Sequence, residues 1–278
     1  MAGSYKAEDT YPMGRSKAET ERLIEQAGLF ALPLRRLFED AGLAPGMRVL
    51  DLGSGAGDVA MAAAELVGPS GEVVGVDMNA AILETARART RAAGYANVHF
   101  LAGDLRDGVE VAGEFDALVG RYVLLYLEDP AATLRPFVRR LRPGGITAFQ
   151  DTAVELSFVA QPPSPLLSLA VGWLGAGLRA AGARLWTGFG LYQVFQEAGL
   201  EAPRMRATAS VGGGPDWEGY EHLAGGLRSL MPVLEKHGIA TAAQVGVDTL
   251  AERLRDEFVR ERKAGMGLVL VDAWARKP

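Results

Sequence analysis

The stretch Val49-Leu50-Asp51-Leu52-Gly53-Ser54-Gly55-Ala56-Gly57-Asp58 constrains this chain more than any other. Val49, Leu50 and Leu52 read as a short buried strand, and a helix is expected to begin near Asp58. Between them, glycines at alternate positions let the backbone take positive φ values and approach a ligand closely. The first N–H groups of the following helix have no partner within the helix and suit a polar or anionic ligand. The stretch is therefore a nucleotide-type binding loop. A dinucleotide fingerprint spaces its glycines as G-x-G-x-x-G. Here the third glycine, Gly57, comes one residue early, and Asp58 holds the dinucleotide position.

Strands and helices then alternate, the pattern of a parallel sheet built from βαβ units. Val73 to Asp77 is the second strand, with Asn79 capping a helix that stops at Gly94. Val98–Leu101, Phe115–Val119 and Ile146–Phe149 supply the next three strands. Asp129-Pro130 opens a helix by cap and N1 proline, and Leu141 to Gly145 reads as the turn before the fifth strand. Upstream, Ser16-Lys17-Ala18-Glu19 is a capping box for a helix carrying Leu23, Ala27, Phe30 and Leu34, which Gly42 ends. Downstream, Thr187–Ala198 reads as a helix, Arg204–Val211 as an edge strand and 215–264 as helical, with Asp248 or Thr249 as a cap. Gly267–Lys277 reads as a final strand.

The D-x-G-x-G-x-G form of Asp51, Gly53, Gly55 and Gly57 resembles the first motif of class I S-adenosylmethionine-dependent methyltransferases. A buried Asp51 is expected to brace the loop by accepting its amides. Asp77 lies 20 residues beyond Gly57 at a strand end, where an acid accepts ribose hydroxyls, with Met78 placed over the adenine. Gly103-Asp104-Leu105 follows the third strand, and Asp104 can accept from the adenine amino group. Arg121 follows the fourth strand, where the methionine end is expected. These resemble the family's second and third motifs. Phe115–Val119 with Tyr122–Leu127 resembles the fourth.

The resemblance is close over 45–151 and looser over 188–211 and 267–277. It implies a doubly wound, Rossmann-like α/β fold: a seven-stranded, mainly parallel sheet with an antiparallel C-terminal strand and helical lid insertions. The expected organisation is an N-terminal helical lid (1–43) and a methyltransferase domain (44–278) whose segments 152–186 and 212–266 cover the substrate. The cofactor set is Tyr11, Arg15, Asp51, Gly53, Ser54, Gly55, Gly57, Asp58, Asp77, Met78, Asp104, Leu105 and Arg121. The cofactor is S-adenosylmethionine, with S-adenosylhomocysteine as product.

The acceptor is expected to be a lipophilic small molecule methylated at oxygen or carbon, as in secondary metabolism. The segments that would roof the site are rich in apolar and aromatic residues. Tyr126, Gln150, Trp173, Trp186 and Trp217 are the expected substrate contacts, with His222 and Asp151 as candidate bases. Gly120-Arg121-Tyr122-Val123 stands where nucleobase methylases of this fold resemble one another in an Asn/Asp-Pro-Pro-aromatic motif, which disfavours that chemistry. A non-methylating cyclase that holds the same cofactor is the alternative.

Composition narrows the rest. The chain has no cysteine and three scattered histidines, so thiolate chemistry is excluded and a metal site is not expected. Net charge is −5 with Lys and Arg dispersed, so no nucleic-acid partner is expected. The longest apolar run is too short to span a bilayer, and no basic-then-apolar leader opens the sequence, so a cytoplasmic location without membrane association is expected. The sequence leaves oligomeric state open, a homodimer included.

Overall fold

The computed structural model describes residues 31–278. Tyr11, Arg15 and the Ser16 capping box, with the helix it begins up to Phe30, lie outside the described residues. Two compact units emerge from the chain, and each is taken by itself.

The first unit contains 31–152, Trp186–Thr208 and Leu270–Pro278. It opens on a helix whose described part covers 31–41 (α1), followed by β1 (Arg48–Leu52), α2 (Asp58–Val67), β2 (Glu72–Asp77) and α3 (Ala80–Ala92). β3 (Val98–Ala102), β4 (Phe115–Arg121), a 3-10 turn (Leu124–Tyr126), α4 (Pro130–Arg139) and β5 (Leu141–Thr152) come next. α6 (Thr187–Glu197), β7 (Arg204–Thr208) and β10 (Leu270–Arg276) complete it. The sheet has seven strands in the order β3-β2-β1-β4-β5-β10-β7. The pairings of β3, β2, β1, β4 and β5 are parallel, and β10 runs antiparallel to both β5 and β7. Strand order therefore reverses at β1–β4, the switch point where ligands collect in such sheets.

Alternate residues of each strand serve opposite faces. Leu50, Leu52, Leu118 and Phe149 pack with Leu134 and Phe137 of α4 and Leu191 and Phe195 of α6. Val49, Ala117, Ile146 and Ala148 pack on the other face with Leu37 and Phe38 of α1, Ala60 and Ala63 of α2, and Leu83 of α3. The terminators read from sequence hold. Asn79 accepts from the Ala81 and Ile82 amides, Asp129 accepts from Ala132, and the Gly42 and Leu43 amides close α1 onto Phe38 O.

β5 is longer than expected, because Leu141–Gly145 belongs to the strand rather than to a turn. Gly144 at φ +74° and a register shift against Phe115/Ala117 absorb the irregularity, and the Gly144 amide is taken by Lys277 O at 3.0 Å.

The second unit contains Ala153–Leu185 and Ala209–Val269. β6 (Val159–Gln161), α5 (Pro165–Ala180), β8 (Val211–Gly212), α7 (Gly219–Lys236), α8 (Ala242–Val245), α9 (Val247–Arg260) and β9 (Ala264–Met266) form it. Val211 therefore does not extend β7. It pairs with Met266 in a three-stranded antiparallel sheet, β6-β9-β8, that the sequence reading did not contain. The helical stretch 215–264 is broken by Gly246 at φ +57°, which ends α8 and begins α9, so neither Asp248 nor Thr249 is the cap. The final strand begins at Leu270, not Gly267, and residues 264–266 before it are engaged as β9. No helix of the described residues is long and apolar enough to cross a membrane.

Candidate functional site

The glycine loop lies at the carboxyl end of β1. Gly53, Gly55 and Gly57 take φ values of +68°, +50° and +90°, and Gly57 is the residue before α2. The Ser54 amide donates to Val76 O at 2.9 Å and the Gly57 amide to Ser54 O at 2.9 Å, so the turn is tied to β2 and to itself. A Cβ on Gly53 would stand 2.6 Å from Val123 Cγ2, whereas a Cβ on Gly55 would meet nothing within 4 Å. Gly53 thus permits close packing beneath the loop, and Gly55 borders open space above it.

The brace of this loop is Asp77 rather than Asp51. Asp77 Oδ2 accepts from the Gly55 amide at 3.0 Å, and Oδ1 from the Asn79 amide at 2.8 Å. Burial raises the Asp77 pKa, and those two amides oppose the rise. Asp51 is fully buried, and neither carboxylate oxygen has a hydrogen-bond partner. Its pKa stands well above the usual carboxylate range, first because of burial and then because of the Asp77 charge, with Arg121 pulling the other way. Sequence placed an acid correctly at both strand ends. It could not tell which of the two the loop amides would find.

Other buried oxygens without partners belong to residues near the carboxyl ends of β1 and β5: Ser54 Oγ, Gln150 Oε1 and Asp151 Oδ2. Orphaned buried polar atoms are rare in native structures and mark a ligand or bound water when they cluster. Arg121, the last residue of β4, packs its guanidinium 5.7 Å from the Tyr122 ring centroid and makes no ion pair among the described residues. Tyr122 itself takes φ +54°, a strained conformation for an aromatic residue at a strand end.

Several expected cofactor residues also have contacts within the chain. Asp58 pairs with Arg89 at 2.6 Å, and Arg89 also donates to Ala56 O, which clamps the loop to α3. Asp104 accepts from the guanidinium of Arg106 at 2.5 to 3.1 Å and from its amide at 2.9 Å, which holds its pKa below the ordinary value. Leu105 is a core residue, and Met78 at the end of β2 is half-buried.

The expected substrate residues divide between the units. Tyr126 ends the 3-10 turn, and Trp186 precedes α6, is half-exposed and lies against Phe189. Gln150 is buried and turned to Asp272, to which its Nε2 donates at 2.8 Å. In the second unit Trp173 is half-buried on α5, and Trp217 packs in the core against Tyr220 and Phe258.

The two candidate bases lie in different units. Asp151 on β5 is 1% exposed, and burial pushes its pKa up to about 8 against the opposing Thr152 and Leu125 amides. His222, in the first turns of α7, meets Phe158 edge-to-face at 5.8 Å. No cluster of His, Asp and Glu among the described residues suits a metal ion.

A family model described as a methyltransferase domain matches residues 43–172, the span that carries the loop and the first five sheet strands. The aklanonic acid methyltransferase DauC of Streptomyces sp. (strain C5) is 31% identical over 172 residues, covering 60% of this chain and 77% of that protein. The ubiquinone/menaquinone biosynthesis C-methyltransferase UbiE of Ectopseudomonas mendocina (strain ymp) is 34% identical over 169 residues, covering 59% and 63% respectively. Across the curated relatives it matches, the chain spans about half of their length. A protein from Bacillus halodurans C-125 shares the fold with a TM-score of 0.60 at 20% identity, over 88% of this chain and 98% of that one. The loop spacing, the strand order and these similarities agree: the chain belongs to the class I S-adenosylmethionine-dependent methyltransferases.

Proposed function

We propose that the protein transfers a methyl group from S-adenosylmethionine to oxygen or carbon of a lipophilic small molecule. The observation that carries this reading is the cradle at the β1–β4 switch point: Gly55 borders open space, Asp77 fixes its amide, and Asp51 and Ser54 beside it carry buried oxygens without partners. These groups fit the cofactor. The Asp77 carboxylate keeps lone pairs for ribose hydroxyls, and Arg121 offers a cation for a carboxylate. When bound, the cofactor supplies an activated sulfonium methyl.

The chain's own work is then to hold the acceptor in line with that methyl and to exclude water. Asp151 is the base we assign. With its pKa near 8 it is only about one-tenth ionised at pH 7, yet it is a far stronger base than a surface aspartate. The second unit, Ala153–Leu185 with Ala209–Val269, is proposed to select the acceptor as a lid. We place the enzyme in the cytoplasm, without a nucleic-acid substrate.

The test is incubation with methyl-labelled cofactor and a panel of hydroxylated and enolic aromatic compounds, following both label and S-adenosylhomocysteine. Labelled product with one equivalent of S-adenosylhomocysteine supports the reading. Product formation with unchanged cofactor would replace it by the cyclase alternative.

A further inference from the structure

A row of polar side chains crosses the α1 face of the first unit's sheet. In strand register Arg121 of β4 pairs with Gln150 of β5, Gln150 with Asp272 of β10, and Asp272 with Arg206 of β7. Paired residues on neighbouring strands share a face, so the four side chains stand side by side. Arg206 donates from Nε at 3.1 Å and from Nη2 at 2.6 Å to Asp272 Oδ2, and its Nη1 also reaches Asp40 of α1. Asp272 Oδ1 accepts from Gln150 Nε2.

This arrangement decides which way the Gln150 amide points. Two guanidinium N–H groups hold Asp272 as an acceptor, so only the NH₂ end of Gln150 can face it. Oε1 is thereby turned away from Asp272. It is buried in a residue 1% exposed and has no partner. Arg121 is Gln150's neighbour on the opposite flank, and Asp51 of β1, with both oxygens unpartnered, is in register with Val119, two residues before Arg121 on β4. An acceptor held in this orientation, in strand register with a guanidinium that has no ion pair among the described residues, is complementary to an α-amino-acid zwitterion: carboxylate to Arg121, ammonium to Gln150. Strand order supports the direction. Asp77 on β2 meets the ribose in the reading above, so the amino-acid end of the same ligand runs toward β4 and β5.

We propose that Gln150 Oε1 accepts from the ammonium at the cofactor's amino-acid end, and that Asp272 and Arg206 are positioning residues that fix the amide for it. The proposal rests on the cofactor reading above. It is tested by binding rather than turnover, using titration calorimetry with S-adenosylhomocysteine and with 5′-methylthioadenosine, which lacks the amino-acid end.

Gln150→Met is expected to weaken S-adenosylhomocysteine about 10- to 50-fold and to leave methylthioadenosine within about 2-fold. Asp272→Asn, which lets the amide turn over, is expected to lower the same ratio by a smaller factor. An S-adenosylhomocysteine analogue without the α-amino group should bind the unmodified protein as weakly as S-adenosylhomocysteine binds Gln150→Met. This arm needs no variant to fold. Equal weakening of both ligands in Gln150→Met would assign Oε1 to packing or a fixed water and overturn the proposal. An undiminished affinity for the deaminated analogue would also overturn it. Failure of the unmodified protein to bind either ligand would instead remove the cofactor reading, and this proposal with it.

Discussion

Asp77 and Gly55 are joined by one hydrogen bond of 3.0 Å, from the loop amide to the carboxylate at the end of the neighbouring strand. Through it the shape of the loop depends on an acid 22 residues away. Asp77→Ala removes this bond and the one to Asn79. Affinity for S-adenosylhomocysteine should fall by about 1.5–3 kcal/mol in calorimetry, as for loss of a charged hydrogen-bond acceptor. The Asp51 pKa should fall too, because the Asp77 charge is one of the causes that raises it.

The glycines of the loop should separate into two kinds. Gly53→Ala drives a Cβ into Val123 at a positive φ and should cost about 2–5 kcal/mol of stability in chemical unfolding. Gly55→Ala meets no neighbour, so it should cost only about 1–2 kcal/mol for its φ of +50°. Its Cβ nevertheless projects into the cradle, and ligand binding should be lost from a protein that still folds.

Asp151 makes stability depend on pH. Its pKa is about 8 in the folded protein and near 3.9 when unfolded, so the folded state binds the extra proton. Its contribution is fully present below about pH 4 and is lost as pH rises toward 8, by up to about 1.4 kcal/mol per pH unit. Asp151→Asn should flatten that slope in unfolding titrations. If Asp151 is the base, the same variant should also remove the rise of kcat between pH 6 and 8.

Trp217 should act on stability. It is stacked on Phe258 at 5.7 Å and edge-on to Tyr220 at 5.0 Å. Trp217→Ala should destabilise by about 3–5 kcal/mol, with the loss seen in hydrogen exchange of α7 and α9. An unchanged melting temperature with a raised KM would return it to the substrate site.

The acceptor-selecting role proposed for the second unit predicts a two-step protection pattern. S-adenosylhomocysteine should slow amide exchange around Gly55, and α5 and α7 should slow fully only when the acceptor is added as well. Uniformly slow exchange in the free protein would speak against a moving lid.

Much of the first unit was legible because its signals are local. Asn79, Asp129 and Gly42 act on amides within a few residues, and the start of α2 is written in Gly57 and Asp58. What sequence could not show depends on partners far along the chain. Gln150 reads as a polar strand-end residue, and that Asp272, 122 residues later, takes its Nε2 and so orients its amide cannot be read locally. That Arg89 pairs with Asp58 across 31 residues is likewise not written locally. The strands β6, β8 and β9 are two or three residues long, too short for alternation to register. Trp217 carries the same letter whether it lines a pocket or fills a core.

The position of β10 has a consequence for how the molecule is made. It is the last of the described strands in chain order, yet it lies between β5 and β7 and is the strand to which β7 pairs. During synthesis the first five strands can associate as they emerge, while β7 has no edge to join until residues 270–276 are available. Completion of the sheet therefore waits until residues 270–276 have been made, because it depends on contacts of long sequence separation. A ribosome-stalled chain ending before Leu270 should retain the β1–β5 sheet and expose the open edge of β5 to chaperones.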